Sequence, residues 1–560
     1  MPERIFTITQ DKPILHMPVI HKLNKWYVKI TEVQKDEQFT EYYIGLTENE
    51  PRFYYPLYLY EFVGKQVKLS CEDDNVPENI FDGIIQGGTI EDHPELYPEV
   101  YKEKDRQQLH FSSRRGWLND PNGLFYKDGI FHLYYQHNPF SPFHNDVNVS
   151  WGHATTRDGI HFKEYPDAVR PTDTETSIAS GTAIVDEYNI SGKGKGTVIG
   201  AYTALCANQY NGRKWLGITK GQYLVYSEDD GYSFKRFDHN PIISVPKGEH
   251  WRDPKLLFTD DGTLCAAVYE RFEGRDCISF YSSNDCINWK LESRAMDLFE
   301  CPDLFRMTVC ETGEKMWVLY AGDGFFRVGN FENYTFTPVV ENLSIDYGDS
   351  VYAGQTWNSH PDEDKRFHIA WMVEYNDGGN SNVFLEDATP YPNPFNQSMS
   401  LMCKFTLHKI DGEYKLFRTP AGELENLRIG EPTVTDNIKN NVQKTLPNMS
   451  EVLLEIKANE PLTFKVNAHG FNYDPTDRVL KFTNRKNYKK EYKLREGQDL
   501  TVRLINDTRT TEMFICDEIS ASFFNYDENG KTLTIESSDA VTNMKVWNLK
   551  SIWEKEKNKS

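Results

Sequence analysis

Apolar residues recur at every second position over short runs along most of this chain. Trp26-Tyr27-Val28-Lys29-Ile30, Gln66-Val67-Lys68-Leu69-Ser70, Val452-Leu453-Leu454-Glu455-Ile456 and Leu500-Thr501-Val502-Arg503-Leu504-Ile505 follow this pattern. A period of two sends successive side chains to opposite faces, so each run predicts a β-strand with one buried face. No long stretch carries the 3.6-residue period of an amphipathic helix, and turn residues punctuate the runs throughout. The pattern predicts an all-β protein. Three textures divide it: a small N-terminal β domain over 1–105, a strand-rich middle over 106–415, and a region over 416–560 whose clean alternation predicts an antiparallel β-sandwich. The charged end, Glu554 to Ser560, is expected to fray.

Two patterns repeat in the middle region. Asp158-Gly159-Ile160-His161-Phe162, Asp230-Gly231-Tyr232-Ser233-Phe234 and Asp285-Cys286-Ile287-Asn288-Trp289 each follow a Ser/Thr-rich strand end and return an aromatic ring to a sheet. Their spacing is near the ~40–50 residues of common propeller blades, allowing for loop insertions. Radial repetition also shields strand edges, so a β-propeller is the expected architecture. The second pattern carries carboxylates. Trp117-Leu118-Asn119-Asp120-Pro121-Asn122-Gly123, Trp251-Arg252-Asp253-Pro254 and Glu300-Cys301-Pro302-Asp303 run into Leu124-Phe125, Leu257-Phe258 and Leu304-Phe305. Equivalent strand ends around one axis would bring the three acids to a single place.

Composition narrows the chemistry. The chain has 560 residues, long enough for two to four domains. A formal net charge of -22 argues against a nucleic-acid partner and suits an uncharged substrate. The aromatic content is 14 %, which fills sheet cores and also offers ring faces to sugars. Nine scattered cysteines form no disulfide framework or zinc pattern. Met1 to Gln10 lacks a signal-peptide apolar run, and no stretch has the ~20 apolar residues of a membrane span. The expectation is a cytoplasmic protein without membrane insertion, the alternative being a secreted or periplasmic one whose leader has been removed. Monomer and homodimer both remain open.

Three carboxylates in one polar pocket point to glycoside hydrolysis, which needs a proton donor to the leaving oxygen and a carboxylate facing the anomeric carbon. Hydrogen bonds from Asn119, Asn122 and the backbone of a tight Asp-Pro-Asn-Gly turn are expected to depress the Asp120 pKa and keep it ionised. A neighbouring carboxylate, partial burial and the uncharged Cys301 favour a protonated Glu300. Asp253, beside Arg252, is expected to stay charged and grip sugar hydroxyls.

In this order the motifs resemble glycoside hydrolase family 32, the β-fructofuranosidases that include invertases, inulinases and levanases. The resemblance extends through Leu133-Tyr134-Tyr135-Gln136-His137-Asn138-Pro139, Trp151-Gly152-His153-Ala154, Ser180-Gly181-Thr182, Asp346-Tyr347-Gly348 and Tyr352-Ala353-Gly354-Gln355-Thr356. Asp507 to Phe514 resembles the family's sandwich motif, and His16-Met17-Pro18-Val19 resembles an accessory domain of some bacterial members. The resemblance implies a five-bladed β-propeller catalytic domain followed by a β-sandwich. It implies Asp120 as nucleophile, Glu300 as general acid/base and Asp253 as transition-state stabiliser. Asn119, Gln136, Trp151, Ser180 and Arg252 would line the fructose subsite, with no metal and no organic cofactor. The substrate implied is a fructose-containing oligo- or polysaccharide (levan, inulin, fructo-oligosaccharide) or sucrose. The alternatives are fructosyl transfer, endo action, and a fructan-binding protein without turnover.

Two segments depart from the family pattern. Phe140 to Asn148 replaces a Trp-Gly pair, with Phe143 or His144 as candidate aromatic, and Met399 to Phe405 replaces a Pro-Arg-Glu block. Other features carry weaker signals. Ser191 to Gly196 is glycine- and lysine-rich but lacks the Gly-Lys-Ser/Thr ending of a phosphate loop. His137, His144 and His153 match no metal-ligand spacing. Trp357 and Trp371 are candidates for sugar platforms or for the core.

Overall fold

The structure is a computed structural model. It describes residues 1–554 except 21–24, 36, 48, 145–147, 173–174, 176, 211–212, 245–249, 375–392, 437, 439–440, 458, 484–489, 528–529 and 537–540, and only the backbone of 37–38, 206–210, 213–219 and 342. Asn145-Asp146-Val147 of the expected subsite wall and the charged end from 555 lie outside the described residues. Strands dominate, and the named helical elements are single 3-10 turns such as Tyr60–Phe62 and Leu424–Leu427.

The alternating runs read from the sequence form strands that pair with one another. Trp26–Glu32 lies antiparallel to Gln66–Cys71, and Ser450–Ile456 lies antiparallel to Leu500–Asn506. Residues 3–87 build a four-stranded and a three-stranded sheet around one apolar cluster. Five sheets of four or five strands then follow in chain order. They open on Gly116–Lys127, Ser177–Val185, Trp251–Phe258, Asp303–Thr308 and Val351–Thr356. Two six-stranded sheets complete the chain over Arg428–Leu549, enclosing a second large apolar cluster. The strand Glu413–Pro420 pairs with Cys403–Ile410 in the fifth sheet, so the expected boundary between 415 and 416 falls inside a strand.

The opening strands of successive sheets pack against each other from first to second, second to third and third to fourth, and the fifth sheet's opening strand packs on the first's. Phe395–Asn396 pairs in parallel with Gly116 and Trp117, while Ser398–Met399 pairs with the fifth sheet. Five residues thus stitch the last of these sheets to the first. The repeated turns are set by side-chain caps. Asp158 Oδ1 accepts the N–H groups of Ile160 and His161 at 2.9 and 2.8 Å, and Asp285 Oδ1 does the same for Ile287 and Asn288. In the middle copy Asp229 takes this role, accepting the N–H of Ser233 at 2.9 Å, while Asp230 adopts a left-handed φ of 59°.

The N-terminal sheets pack against segments of the first central sheet. Phe140, from the loop after the strand Ile130–Asn138, sits in the N-terminal apolar cluster against Tyr42 and Tyr55. Asn148 exchanges hydrogen bonds of 2.7 and 2.8 Å with the backbone of Tyr43. A buried polar network joins the central region to the C-terminal sheets. Asp507 accepts the N–H groups of Gln108, Leu109 and His110, and the His110 ring bridges Asp507 and Glu512 at 2.8 and 3.0 Å.

Candidate active site

The three carboxylates come from the first, third and fourth central sheets and meet at one cavity of about 340 Å³. Asp120 lies within a continuous strand, Gly116–Lys127, whose pairing slips between Leu118 and Pro121. The expected tight turn is therefore a bulged strand, because the flanking apolar residues are held in sheet pairing. The bulge turns Asp120 toward the cavity. Ser180 is delivered by a matching irregularity between Ile178 and Gly181. A Cβ on Gly181 would approach the Ala201 carbonyl oxygen to 1.9 Å, so only glycine lets the two strands close there.

Asp120 is held from four sides. Asn119 Nδ2 donates to its Oδ1 at 3.1 Å. Ser180 Oγ, Gln136 Nε2 and the Cys301 thiol donate to Oδ2 at 2.6, 3.3 and 3.6 Å. Trp117 Nε1 in turn fixes Asn119 Oδ1 at 2.7 Å. Asn122 does not join this set: its Oδ1 accepts the Gly181 N–H at 3.2 Å. The net effect on Asp120 is opposite to the expected depression. Burial raises its pKa above the ordinary carboxylate value, the Ser180 hydrogen bond opposes this, and the charge on Glu300 adds to it.

Asp253 adopts a left-handed φ of 63° at a bulge between Arg252 and Lys255, a conformation unfavourable for a residue with a Cβ. Its N–H donates to Thr203 Oγ1 at 2.8 Å, and its Oδ2 accepts the Cys301 N–H at 3.2 Å. The expectation that Arg252 keeps Asp253 charged is overturned. Arg252 directs Nε and Nη2 to Glu300 Oε2 at 3.0 and 2.6 Å and stands 3.5 Å from Asp253. Burial lifts Asp253 to about 7, with Arg252 opposing and Glu300 and Asp120 adding.

Glu300 and Cys301 also have positive φ angles, 25° and 43°. The Tyr352 hydroxyl donates to Glu300 Oε1, so that carboxyl is gripped by Tyr352 on one oxygen and Arg252 on the other. Cys301 is fully enclosed, its sulfur 3.5 Å from Asp253 Oδ2 as well as near Asp120, and burial pushes its thiol pKa up.

Asn119, Gln136 and Arg252 line the cavity. Trp151 does not. It is fully buried one layer behind, its indole N–H bonded to the Ala179 carbonyl at 3.0 Å, because its ring packs among Tyr134 and Tyr202. Tyr352, Trp371 and His144 form walls whose roles the sequence left open, and Trp371 rather than Trp357 faces the cavity. Trp357 is core, bonded to the His132 carbonyl at 2.8 Å. His137 is held by Asp167 and the Arg115 carbonyl, and His153 stacks between Tyr134 and Tyr165. Tyr352 was signalled only by its place in the Tyr352-Ala353-Gly354-Gln355-Thr356 block of the family resemblance.

Residues 110–420 match the model of the glycosyl hydrolases family 32 N-terminal domain. Invertase 2 of Saccharomyces cerevisiae is 33 % identical over 365 residues, 60 % of this chain and 63 % of its own. The extracellular exo-inulinase of Meyerozyma guilliermondii is 31 % identical over 301 residues, 49 % of this chain and 55 % of its own. The match thus spans between about half and two thirds of the length of these curated relatives. Among solved structures, exo-inulinase from Aspergillus awamori is similar in fold, with a TM-score of 0.67 at 21 % identity, covering 81 % of this chain and all of its own. The motif order, the converging acids and the family match together place the chain in glycosyl hydrolase family 32.

Proposed function

We propose that this protein is a retaining hydrolase that releases fructose from β-fructofuranosides. The observation that carries the reading is the convergence of Asp120, Asp253 and Glu300 on one cavity, with Asp120 fixed by Asn119, Gln136 and Ser180. Asp120 attacks the anomeric carbon through Oδ1, while hydrogen bonds to Oδ2 hold the carboxylate plane. Glu300 gives its proton to the leaving oxygen, and Tyr352 and Arg252 hold it in place. The glycosidic C–O bond breaks as the Asp120–carbon bond forms. Glu300 then takes a proton from water, which displaces Asp120 and frees fructose. Asp253 grips sugar hydroxyls as positive charge builds on the ring.

The domain reading belongs to the same proposal. The stitch through 395–399 and the sequential packing of opening strands support a closed five-bladed propeller. The two six-stranded sheets around one core support a C-terminal β-sandwich, and the N-terminal sheets support a separate bracing domain.

Asp120→Asn and Glu300→Gln should each lower fructose release by ~10³-fold or more while leaving thermal unfolding nearly unchanged. Substantial turnover of sucrose or fructan by purified Asp120→Asn would overturn the assignment. Product sizing at high sucrose checks the alternative of transfer: hydrolysis predicts free fructose as the fructosyl product.

A further inference from the structure

Buried side chains tie the opening strands of the central sheets to one another. Neutral groups make several of these crossings. Asn122 Oδ1 accepts the Gly181 N–H at 3.2 Å, joining the first strand to the second. Thr182 Oγ1 donates to the Pro254 carbonyl at 3.1 Å and accepts the Leu256 N–H at 2.8 Å, joining the second to the third. Asn358, just past the fifth strand, donates from Nδ2 to the Ala183 and Leu256 carbonyls at 2.8 and 3.3 Å. From third to fourth to fifth the crossing is ionic. Lys255 Nζ lies 2.9 Å from Asp303 Oδ1 and donates to the Thr356 carbonyl at 3.1 Å. Asp303 Oδ2 accepts the Thr356 N–H and hydroxyl at 2.6 and 2.8 Å. All three residues are fully buried.

The ionic link sits where the chemistry needs its geometry fixed. Lys255 follows Asp253 by two residues, Asp303 follows Glu300 by three, and Thr356 follows Tyr352 by four. Asp253, Glu300 and Cys301 hold left-handed φ angles of 63°, 25° and 43°, and such backbone persists only where its surroundings over-determine it. A buried ion pair is a poor device for stability alone, because the desolvation of two charges offsets much of their attraction. The neutral crossings elsewhere show that uncharged groups suffice to join neighbouring strands. The charged pair adds a fixed distance and direction. The Lys255 ammonium meets groups from two other strands at once, and the Asp303 carboxylate engages through both oxygens.

We propose that Lys255, Asp303 and Thr356 are positioning residues for the hydrolysis, a buried brace that fixes Asp253, Glu300 and Tyr352 relative to one another. This inference rests on the fructoside-hydrolase reading above and adds to it residues that do not touch the substrate. All three lie outside the described lining of the catalytic cavity. A displacement of ~1 Å at a reacting group costs ~100-fold in rate, so loss of the brace appears in kcat and leaves substrate binding close to normal.

The test measures kcat and KM on sucrose, together with melting temperature, for three variants of the full chain. Asp303→Asn should lower kcat ~10–100-fold with KM within ~3-fold of wild type. A double variant, Lys255→Met with Asp303→Asn, removes both charges and strands neither. It should melt closer to the wild-type chain than Asp303→Asn does, yet keep the low kcat. Plain structural support would instead return kcat along with the melting temperature. Thr356→Val deletes only the hydroxyl bond to Asp303, a change small enough to fold where the charged variants do not, and should lower kcat ~3-fold at unchanged KM. Wild-type kcat in folded Asp303→Asn or Thr356→Val would overturn the proposal. Recovery of kcat in the double variant, or a loss carried by KM, would do the same. Absence of fructose release by the wild-type chain from every fructoside would instead defeat the hydrolase reading, and the inference with it.

Discussion

At the residue scale, the site is governed by burial more than by neighbouring charge. The sequence showed three acids and the polar groups beside them, and from Arg252 it predicted a charged Asp253. The side chain of Arg252 makes its short hydrogen bonds to Glu300, a direction that no adjacent-residue rule contains, and stands 3.5 Å from Asp253. Burial lifts the Asp253 pKa to about 7, well above its ordinary value of 3.8, although Arg252 opposes the rise. Its proposed grip on hydroxyls needs the ionised form, so kcat/KM should fall as pH drops through about 7. The folded state binds the extra proton between the two values, so this group's effect on stability worsens as pH rises from about 4 to 7. Asp253→Asn removes that effect. The variant should lose most activity yet melt ~1–3 °C higher at pH 7.5, with less pH dependence across that window. A melting curve against pH for both proteins checks this. Ser180→Ala acts on Asp120. The Ser180 hydrogen bond lowers the Asp120 pKa, so its loss should raise that pKa further, shift the acidic limb of the rate profile upward, and reduce kcat by ~10–100-fold.

At the element scale, alternation revealed the strands and the Asp-Gly turns revealed where they reverse. The bulges stayed hidden. Asp120, Ser180 and Asp253 each sit at a register slip, and a slip arises from pairing with a partner strand that the local sequence does not name. The apparent turn at Asp-Pro-Asn-Gly became part of a strand for the same reason. Between the strands Ile130–Asn138 and Ser150–Thr156, His144 and Val149 reach the cavity wall, and Phe140 sits in the N-terminal cluster. Phe140→Ala should cost ~3 kcal/mol of packing locally. Loosening that wall should raise KM several-fold with a smaller change in kcat. Steady-state kinetics on sucrose, with circular dichroism to verify the fold, would show it.

At the scale of the whole molecule, contacts between distant segments decide how the sheets are joined. The His110 network spans roughly four hundred residues of sequence and connects the entry to the first central sheet with the C-terminal motif from Asp507. Burial alone would lower the His110 pKa, but its hydrogen bonds to Asp507 and Glu512 raise it to about 9. A raised histidine stabilises the folded state fully below its unfolded pKa of about 6.5, and that contribution disappears as pH rises through about 9. Arg418 and His110 overcome burial to hold Glu512 at about 2, so its contribution is present above about 4.5 and lost as pH falls through 2. The stability that His110 contributes should therefore decline between pH 7 and 9.5, read as a narrowing gap in melting temperature between the wild-type chain and a His110 variant. His110→Gln should start ~3 kcal/mol less stable at pH 6 and show a flatter profile over that range.

The sequence by itself determined the strands, the turns between them, the three carboxylates and the family, because periodicity and short motifs are local properties of the chain. Tertiary structure alone decided which acid Arg252 pairs with, that Trp151 backs the cavity while Tyr352 and Trp371 face it, and how far burial moves each protonation equilibrium. Those outcomes depend on distance and solvent exclusion across separate sheets, and neither quantity is encoded in any one segment.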